Sequence, residues 1–282
     1  MAHSIAQRST SPILRIPDEL VVEIVLIAID NSPWPWEMEF GPEWSMSRVC
    51  RSLRQAVINA SALWTSVFVN LTRDGSIEIF KLYIERSAPR KIRVTLSAPS
   101  DIQPQCLSAL TPDCINRIWA LYIDFGSRQA LDTVLGAFRN VVAPSLVRLE
   151  IQSACEGSDD PVVDLSVLDA ANLKSLQLER CICRRNIIPE GMRTSLTHLK
   201  LLNSTALYHT DRQLDESLFQ DLRFLTHLDL EWAPWAGPGH CRPSRQSARL
   251  TGRLRVGVRV GRIRRNLGAH LMGQSSGDSC NS

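Results

Sequence analysis

Long hydrophobic runs are absent from this 282-residue sequence. The most apolar stretch, Leu20 to Ile29, is broken by Glu23 and is about half the ~20 residues that a bilayer-spanning helix requires. The first 11 residues carry one Arg and no continuous apolar stretch, which is not the pattern of a signal peptide. We therefore expect no membrane segment and a location in the cytoplasm or the nucleus.

Recognisable catalytic motifs are also lacking. No serine or cysteine lies in a nucleophile motif, and no glycine-rich loop follows a candidate strand, so we predict a protein that is not an enzyme. The 8 cysteines have no regular spacing, which favours reduced thiols over a disulfide framework. Cys181 and Cys183, taken with His198, lack the second ligand pair of a structural zinc site. We expect neither a metal nor another cofactor.

Acidic residues and lysine are nearly missing from the C-terminal tail, residues 237–282. The tail holds 9 Arg, no Lys and a single acid, so it carries +8, and residues 1–236 carry −5 because the whole chain carries +3. Its Arg, Gly and Ser content favours disorder. Nucleic-acid binding is the weaker interpretation, because the tail has no recognisable binding fold and no aromatic residue follows Trp235. A frame change in the gene model is a further explanation.

What remains is an ordinary globular composition, 44% hydrophobic and 22% charged. After a disordered start at 1–12, residues 13–66 have the pattern of a small helical module. Pro17 suits the first turn of a helix, and its apolar residues, among them Leu20, Ile24 and Ile27, form a stripe so wide that we expect it to be covered on most sides. A Trp-rich and Pro-rich insertion at 31–43 follows. A second helical pattern then runs from Met46 to Ala60.

Three short elements of this module resemble the F-box family, and the chain is most similar to F-box-like proteins of basidiomycete fungi. Ile16-Pro17-Asp18-Glu19-Leu20, with Ile24, resembles the opening leucine-proline-x-glutamate-leucine element. The stretch from Ser47 to Arg54 resembles the second element, with Leu53 where tryptophan is usual. Leu63-Trp64 matches the closing leucine-tryptophan.

The resemblance implies docking to the Skp-family adaptor of a Skp–cullin–F-box ubiquitin ligase, and through it to a cullin. The positions that it assigns to adaptor binding are Ile16, Pro17, Leu20, Ile24, Val49, Cys50 and Leu53. The competing interpretation is that these residues only pack against one another and the rest of the chain.

The pattern Leu-x-x-Leu-x-Leu, with Ile allowed, recurs along residues 91–236. A weaker copy starts at Lys91, and further copies start at Ile118, Leu146, Leu173, Leu196 and Leu225. The starts are 27, 28, 27, 23 and 29 residues apart, a period typical of leucine-rich-repeat solenoids. Helical spacing between copies is clearest from Ser127, an expected N-cap, to Val142, and Pro144 is expected to stop that helix. A helix from Asp211 to Leu222 repeats the design less regularly.

Strand side chains alternate, so the residues between the motif leucines are predicted to face outward on a concave sheet. They form a mixed, hydrogen-bonding surface suited to a protein target, and they are Tyr122, Glu150, Gln177, Lys200 and Asp229. For any one of them, a solvated position that binds nothing is the alternative.

These patterns together predict an α+β or α/β chain: a small helical F-box-like bundle, a linker with an edge helix at 67–90, a short leucine-rich-repeat solenoid at 91–236 and a disordered tail. The expected function is a substrate receptor of a ubiquitin ligase with an unknown protein target. The alternatives are a leucine-rich scaffold without a ligase role and a nucleic-acid-associated protein acting through the tail. A disordered tail would leave the last repeat with an open edge, which predicts aggregation.

Overall fold

The computed structural model describes residues 16–31, 41–102, 104–154, 161–181, 188–202, 222–232 and 252–257. The helices are α1 (Asp18–Asp30), α2 (Pro42–Ser47), α3 (Arg51–Asn59), α4 (Ser76–Arg86), α5 (Pro112–Arg117), α6 (Arg128–Gly136) and α7 (Glu190–Ser195). The strands are β1 (Ser66–Asn70), β2 (Ile92–Ala98), β3 (Ile118–Phe125), β4 (Arg148–Ser153), β5 (Ser175–Glu179), β6 (His198–Leu202), β7 (His227–Trp232) and β8 (Gly252–Gly257).

One sheet contains all of these strands in chain order. Strands β1 to β7 run parallel, and β8 pairs antiparallel with β7. The recurring leucine pattern explains the register, because equivalent motif positions pair across neighbouring strands and point into one core. One such buried row consists of Val94, Leu121, Leu149, Leu176, Leu199 and Leu228.

The predicted division into a small helical bundle followed by a leucine-rich-repeat solenoid is wrong. The sheet begins at β1, directly after the expected bundle, and the described residues form an α/β arrangement of parallel strands with helices. Trp64, which we had assigned to the bundle, is fully buried in the same core cluster as Val67, Phe80 and Ile92. The physical reason is that Leu63 and Trp64 have a large apolar surface to bury. The first strands cover this surface together with α1–α3.

The prediction that the whole C-terminal tail is disordered is also wrong. Gly252–Gly257 forms β8, which covers the edge of β7 that we had expected to be open. The sequence signal was the alternation of Leu254 and Val256 with arginine and glycine, which is a strand pattern within an Arg-rich segment. The other tail residues, and the helix predicted from Asp211 to Leu222 up to its last residue, lie outside the described residues.

Several local predictions hold. Helix α1 begins after Pro17, and α4, Ser76–Arg86, lies within the segment 67–90 where a linker with an edge helix was predicted. Helix α6 is capped by Ser127, whose Oγ accepts a hydrogen bond from the Ala130 amide at 3.0 Å, although α6 ends at Gly136, earlier than predicted. The second N-terminal helical pattern is divided into α2 and α3 by a turn at 48–50.

A chain of polar groups joins α2 to α4. Glu43 is buried, and its carboxylate accepts a hydrogen bond from the hydroxyl of Tyr83. The indole Nε1 of Trp44 donates to the same hydroxyl oxygen at 3.0 Å. The ring of Tyr83 packs edge-on against Trp64, with 5.0 Å between centroids, and the guanidinium of Arg86 lies 4.4 Å from the Trp64 ring centroid. The N-terminal helices are therefore anchored to the sheet side of the molecule by hydrogen bonds as well as by apolar contacts.

Candidate partner-binding surfaces

Four large aliphatic side chains are exposed on the N-terminal helices and the turn between them. Leu20, Ile24 and Ile27 are spaced four and three residues apart on one side of α1, and they are 49%, 50% and 54% exposed. Val49, in the turn between α2 and α3, is 58% exposed. We call these four residues the apolar helix face. Large aliphatic side chains grouped in this way mark a surface that a partner can cover.

The opposite side of α1 is buried. Val25 belongs to the main core, whereas Val21 forms a small cluster with Leu53 and Ala56. Ile16 and Cys50 are partly buried against that small cluster. The structure therefore brings together the first turn of α1 and the start of α3.

The seven residues assigned to adaptor binding thus fall into different environments. Leu20, Ile24 and Val49 are exposed, and Pro17 is exposed at the N-terminus of α1. Leu53 is only 3% exposed, so it can influence a partner only by holding α1 against α3. Ile27 was not assigned to binding, because the assigned positions were only those that the F-box resemblance carried over. The sequence did indicate its position, because a residue three places after Ile24 lies on the same side of a helix as Ile24.

The five residues predicted to face a target form one continuous row across the sheet. Tyr122 pairs with Glu150, Glu150 with Gln177, Gln177 with Lys200, and Lys200 with Asp229. All five are half-buried, between the fully buried motif residues on either side of them. We call this side of β2–β7 the polar sheet face.

Ionic contacts hold the centre of the polar sheet face. The Nε of Arg148 donates to Glu150 Oε1 at 2.6 Å, and the same guanidinium lies 5.5 Å from the Tyr122 ring centroid. Burial raises the pKa of Tyr122, and the negative charge of Glu150 raises it further. Burial also raises the pKa of Asp124, against a hydrogen bond from Ser97 that lowers it. Arg148 thus holds Glu150 and Tyr122 in place, and Ser97 holds Asp124. These contacts are those of a preorganised binding surface.

Two histidines stack at the N-terminal ends of β6 and β7. The rings of His198 and His227 are 4.3 Å apart between centroids and 5° from parallel. Thr197 Oγ1 donates its only proton to the Lys174 carbonyl and lies 2.8 Å from His198 Nδ1. Because that proton is used, the imidazole must carry its own proton on Nδ1 and donate it to the hydroxyl.

The same arrangement recurs one strand further. Thr226 Oγ1 donates to the Thr197 carbonyl at 3.0 Å and lies 2.9 Å from His227 Nδ1. Burial lowers the pKa of His198, and the neighbouring His227 lowers it further because two adjacent positive charges repel.

The cysteines in the described residues are free thiols: Cys50, Cys106, Cys114 and Cys181. The Sγ of Cys181, which follows β5, donates to the Glu179 carbonyl at 3.1 Å. Burial raises the pKa of Cys114 to about 12, which makes it a poor nucleophile. Within the described ranges, no three His, Cys, Asp or Glu side chains are grouped closely enough to hold a metal ion. Cys183 lies outside these ranges.

Comparison with known proteins found no match to this chain among family models, curated proteins or solved structures. Among the described residues, no helix has the length and apolarity needed to cross a membrane. The function is therefore inferred from the two surfaces themselves.

Proposed function

We propose that this chain is a non-catalytic substrate receptor of a Skp–cullin–F-box-type ubiquitin ligase. The observation that carries the proposal is the apolar helix face, where Leu20, Ile24 and Val49 coincide with positions that the F-box resemblance assigns to the adaptor. Each of these side chains still exposes about half of its surface. Covering that surface would contribute about 1 kcal/mol per residue, which is enough for several of them to support a stable contact.

The polar sheet face takes the second role in this proposal, the capture of a protein target. A row of half-buried polar and aromatic groups offers directional hydrogen bonds over a rigid support. The receptor then acts by proximity, because it holds the target near the ubiquitin-loaded enzyme at a high effective concentration. Such a complex would operate in the cytoplasm or the nucleus.

Co-purification with a Skp-family adaptor tests the proposal. We expect the full chain to retain the adaptor and the double variant Leu20→Asp/Val49→Asp to lose it, because two charges would be placed in an apolar contact. Losing central apolar anchors of an interface costs on the order of 2 kcal/mol or more, so retention should fall at least about thirtyfold. The measurement is the amount of adaptor bound per receptor at equal concentration.

A matched control separates docking from general loss of fold. Val142 and Phe224 are also exposed, at 54% and 60%, and lie outside the N-terminal helices. The variant Val142→Asp/Phe224→Asp makes the same chemical change, so it should keep the adaptor. Equal retention by both double variants, or no retention by the wild type, contradicts the proposal and favours a scaffold without a ligase role.

A further inference from the structure

Charge is sorted along the strands of the polar sheet face. The first position of β2–β7 on this face holds Arg93, Ala120, Arg148, Ser175, His198 and His227, which pair in that order and include no acid. Ala120 is fully buried and interrupts the row between the two arginines. The third outward position of β2–β6 includes Asp124 and Glu179 and no base. The bases and the acids lie on different strands, but every charged group at the first position is basic and every charged group at the third position of β2–β6 is acidic.

Two lysines extend this set of basic residues. Lys91 and Lys174 immediately precede β2 and β5, and both are exposed. We define the cationic rim as the six residues Lys91, Arg93, Arg148, Lys174, His198 and His227. Neighbouring strands are ~4.8 Å apart, so the rim from β2 to β7 spans ~24 Å, the length of about seven extended residues.

We propose that the cationic rim binds an extended acidic segment of the target protein, and that protonation of the stacked His198–His227 pair tightens this binding. The inference rests on the proposed function only in taking target capture as the role of this face. Charge complementarity favours this occupant, because the rim carries two arginines, two lysines and two histidines and no acid, at one end of the strands. The rim's own Arg148 remains 47% exposed although it is paired with Glu150.

A nucleic acid fits this geometry less well. The carboxylate of Glu150 lies one outward position behind the rim, and Asp124 and Glu179 lie behind that. A broad polyanion would approach these acids as well as the rim and would be repelled by them, whereas a single acidic peptide can remain on the rim. The basic tail of this chain is excluded as the occupant by its charge.

The charges around the histidine pair determine how strongly pH changes the binding of an acidic segment. Lys200 and Asp229 occupy the next outward position beside His198 and His227 and oppose each other in sign. Ser175 lies beside His198, and on β8 the residues opposite His227 and Asp229 are Gly257 and Arg255. Lys174 adds positive charge from the residue before β5. An acidic ligand would therefore supply the negative charge that a doubly protonated pair requires.

Fluorescence anisotropy with a rhodamine-labelled peptide of four Glu-Ser repeats tests the proposal, with the full chain at about 50 mM salt, where charge pairs are weakly screened. We expect Lys91→Gln/Lys174→Gln to weaken binding about tenfold, since each exposed charge pair is worth a factor of about two to five. The control Lys81→Gln/Arg139→Gln removes the same charge from exposed positions on α4 and after α6, so it should change binding less than about twofold.

The pH arm uses the same peptide at about pH 7.5 and about pH 5.5, where its glutamates stay mostly ionised. The wild type should bind about fivefold more tightly at the lower pH, and His198→Gln/His227→Gln should lose this gain. Unchanged binding in the rim variants, as expected if the basic tail holds the peptide, overturns the proposal. Tighter binding of a short single-stranded oligonucleotide than of the peptide also overturns it. Adaptor retention is measured separately, so failure of either proposal is distinguishable from failure of the other.

Discussion

Glu43 is a buried acid that lies outside the predicted sites. Burial is the dominant cause that raises the pKa of its carboxyl, and the hydrogen bond from Tyr83 opposes this only in part. Burial and the nearby carboxylate also raise the pKa of the Tyr83 hydroxyl, which remains a donor at every physiological pH. No sequence pattern marked Glu43, because its partner lies 40 residues away.

The substitution Glu43→Gln replaces this buried carboxyl with a neutral amide. A group whose folded pKa is raised binds its proton more tightly when folded, so its contribution to stability is fully present below the unfolded pKa and is lost as pH rises through the folded pKa. At neutral pH the wild type therefore carries the cost of a buried charge, whereas the glutamine side chain of the variant keeps an oxygen that accepts from Tyr83. We expect the variant to be more stable by about 1 kcal/mol at about pH 7.

Urea unfolding at about pH 7 and about pH 4 measures this difference. The gain should shrink towards zero at the lower pH, where the wild-type carboxyl is protonated in the folded state. Glu78→Gln, at an exposed position of α4, is the matched control and should change stability by less than about 0.5 kcal/mol at either pH. If Glu43→Gln instead destabilises the protein at neutral pH more than at acidic pH, the ionised carboxylate is the favoured form.

Among the secondary-structure elements, α6 begins after Ser127, the N-cap that was predicted from the sequence, and the contribution of this cap to stability can be measured. Ser127→Ala removes the acceptor of the Ala130 amide and also the donor to Asp101. We expect a loss of about 1 kcal/mol in the free energy of unfolding. Thr133→Ala, which removes a hydroxyl that donates to the Gln129 carbonyl within the same helix, should have less than half that effect. Equal losses in the two variants would mean that the cap does not stabilise α6.

The elements were predictable where one periodic pattern was repeated. Each Leu-x-x-Leu-x-Leu copy gave a strand, and Ser127 and Pro17 marked helix starts correctly. The short strand β1 was missed because it carries no copy of the pattern, and β8 because the arginines between its apolar residues dominated the composition. The break between α2 and α3 was missed because both helices place apolar residues at compatible spacing. Local pattern therefore predicted repeated elements better than single ones.

At the scale of the whole molecule, the boundary between helices and sheet was the feature that apolar spacing could not predict. Spacing located the N-terminal helices, but it could not say which apolar residues the rest of the chain would cover. The core continues from Trp64 into the first strands, which overturned the separate bundle, and the same packing left Leu20, Ile24 and Ile27 exposed. The row from Tyr122 to Asp229 was predictable, because strand alternation fixes which residues leave the core.

We propose that the apolar helix face binds a Skp-family adaptor while the polar sheet face remains available to a target. Amide hydrogen exchange of the full chain, measured alone and with a saturating amount of the adaptor, tests it most directly. We expect added protection within residues 18–30 and 46–54 and none in β3–β6. Added protection confined to the sheet, or none anywhere in the chain, would contradict it.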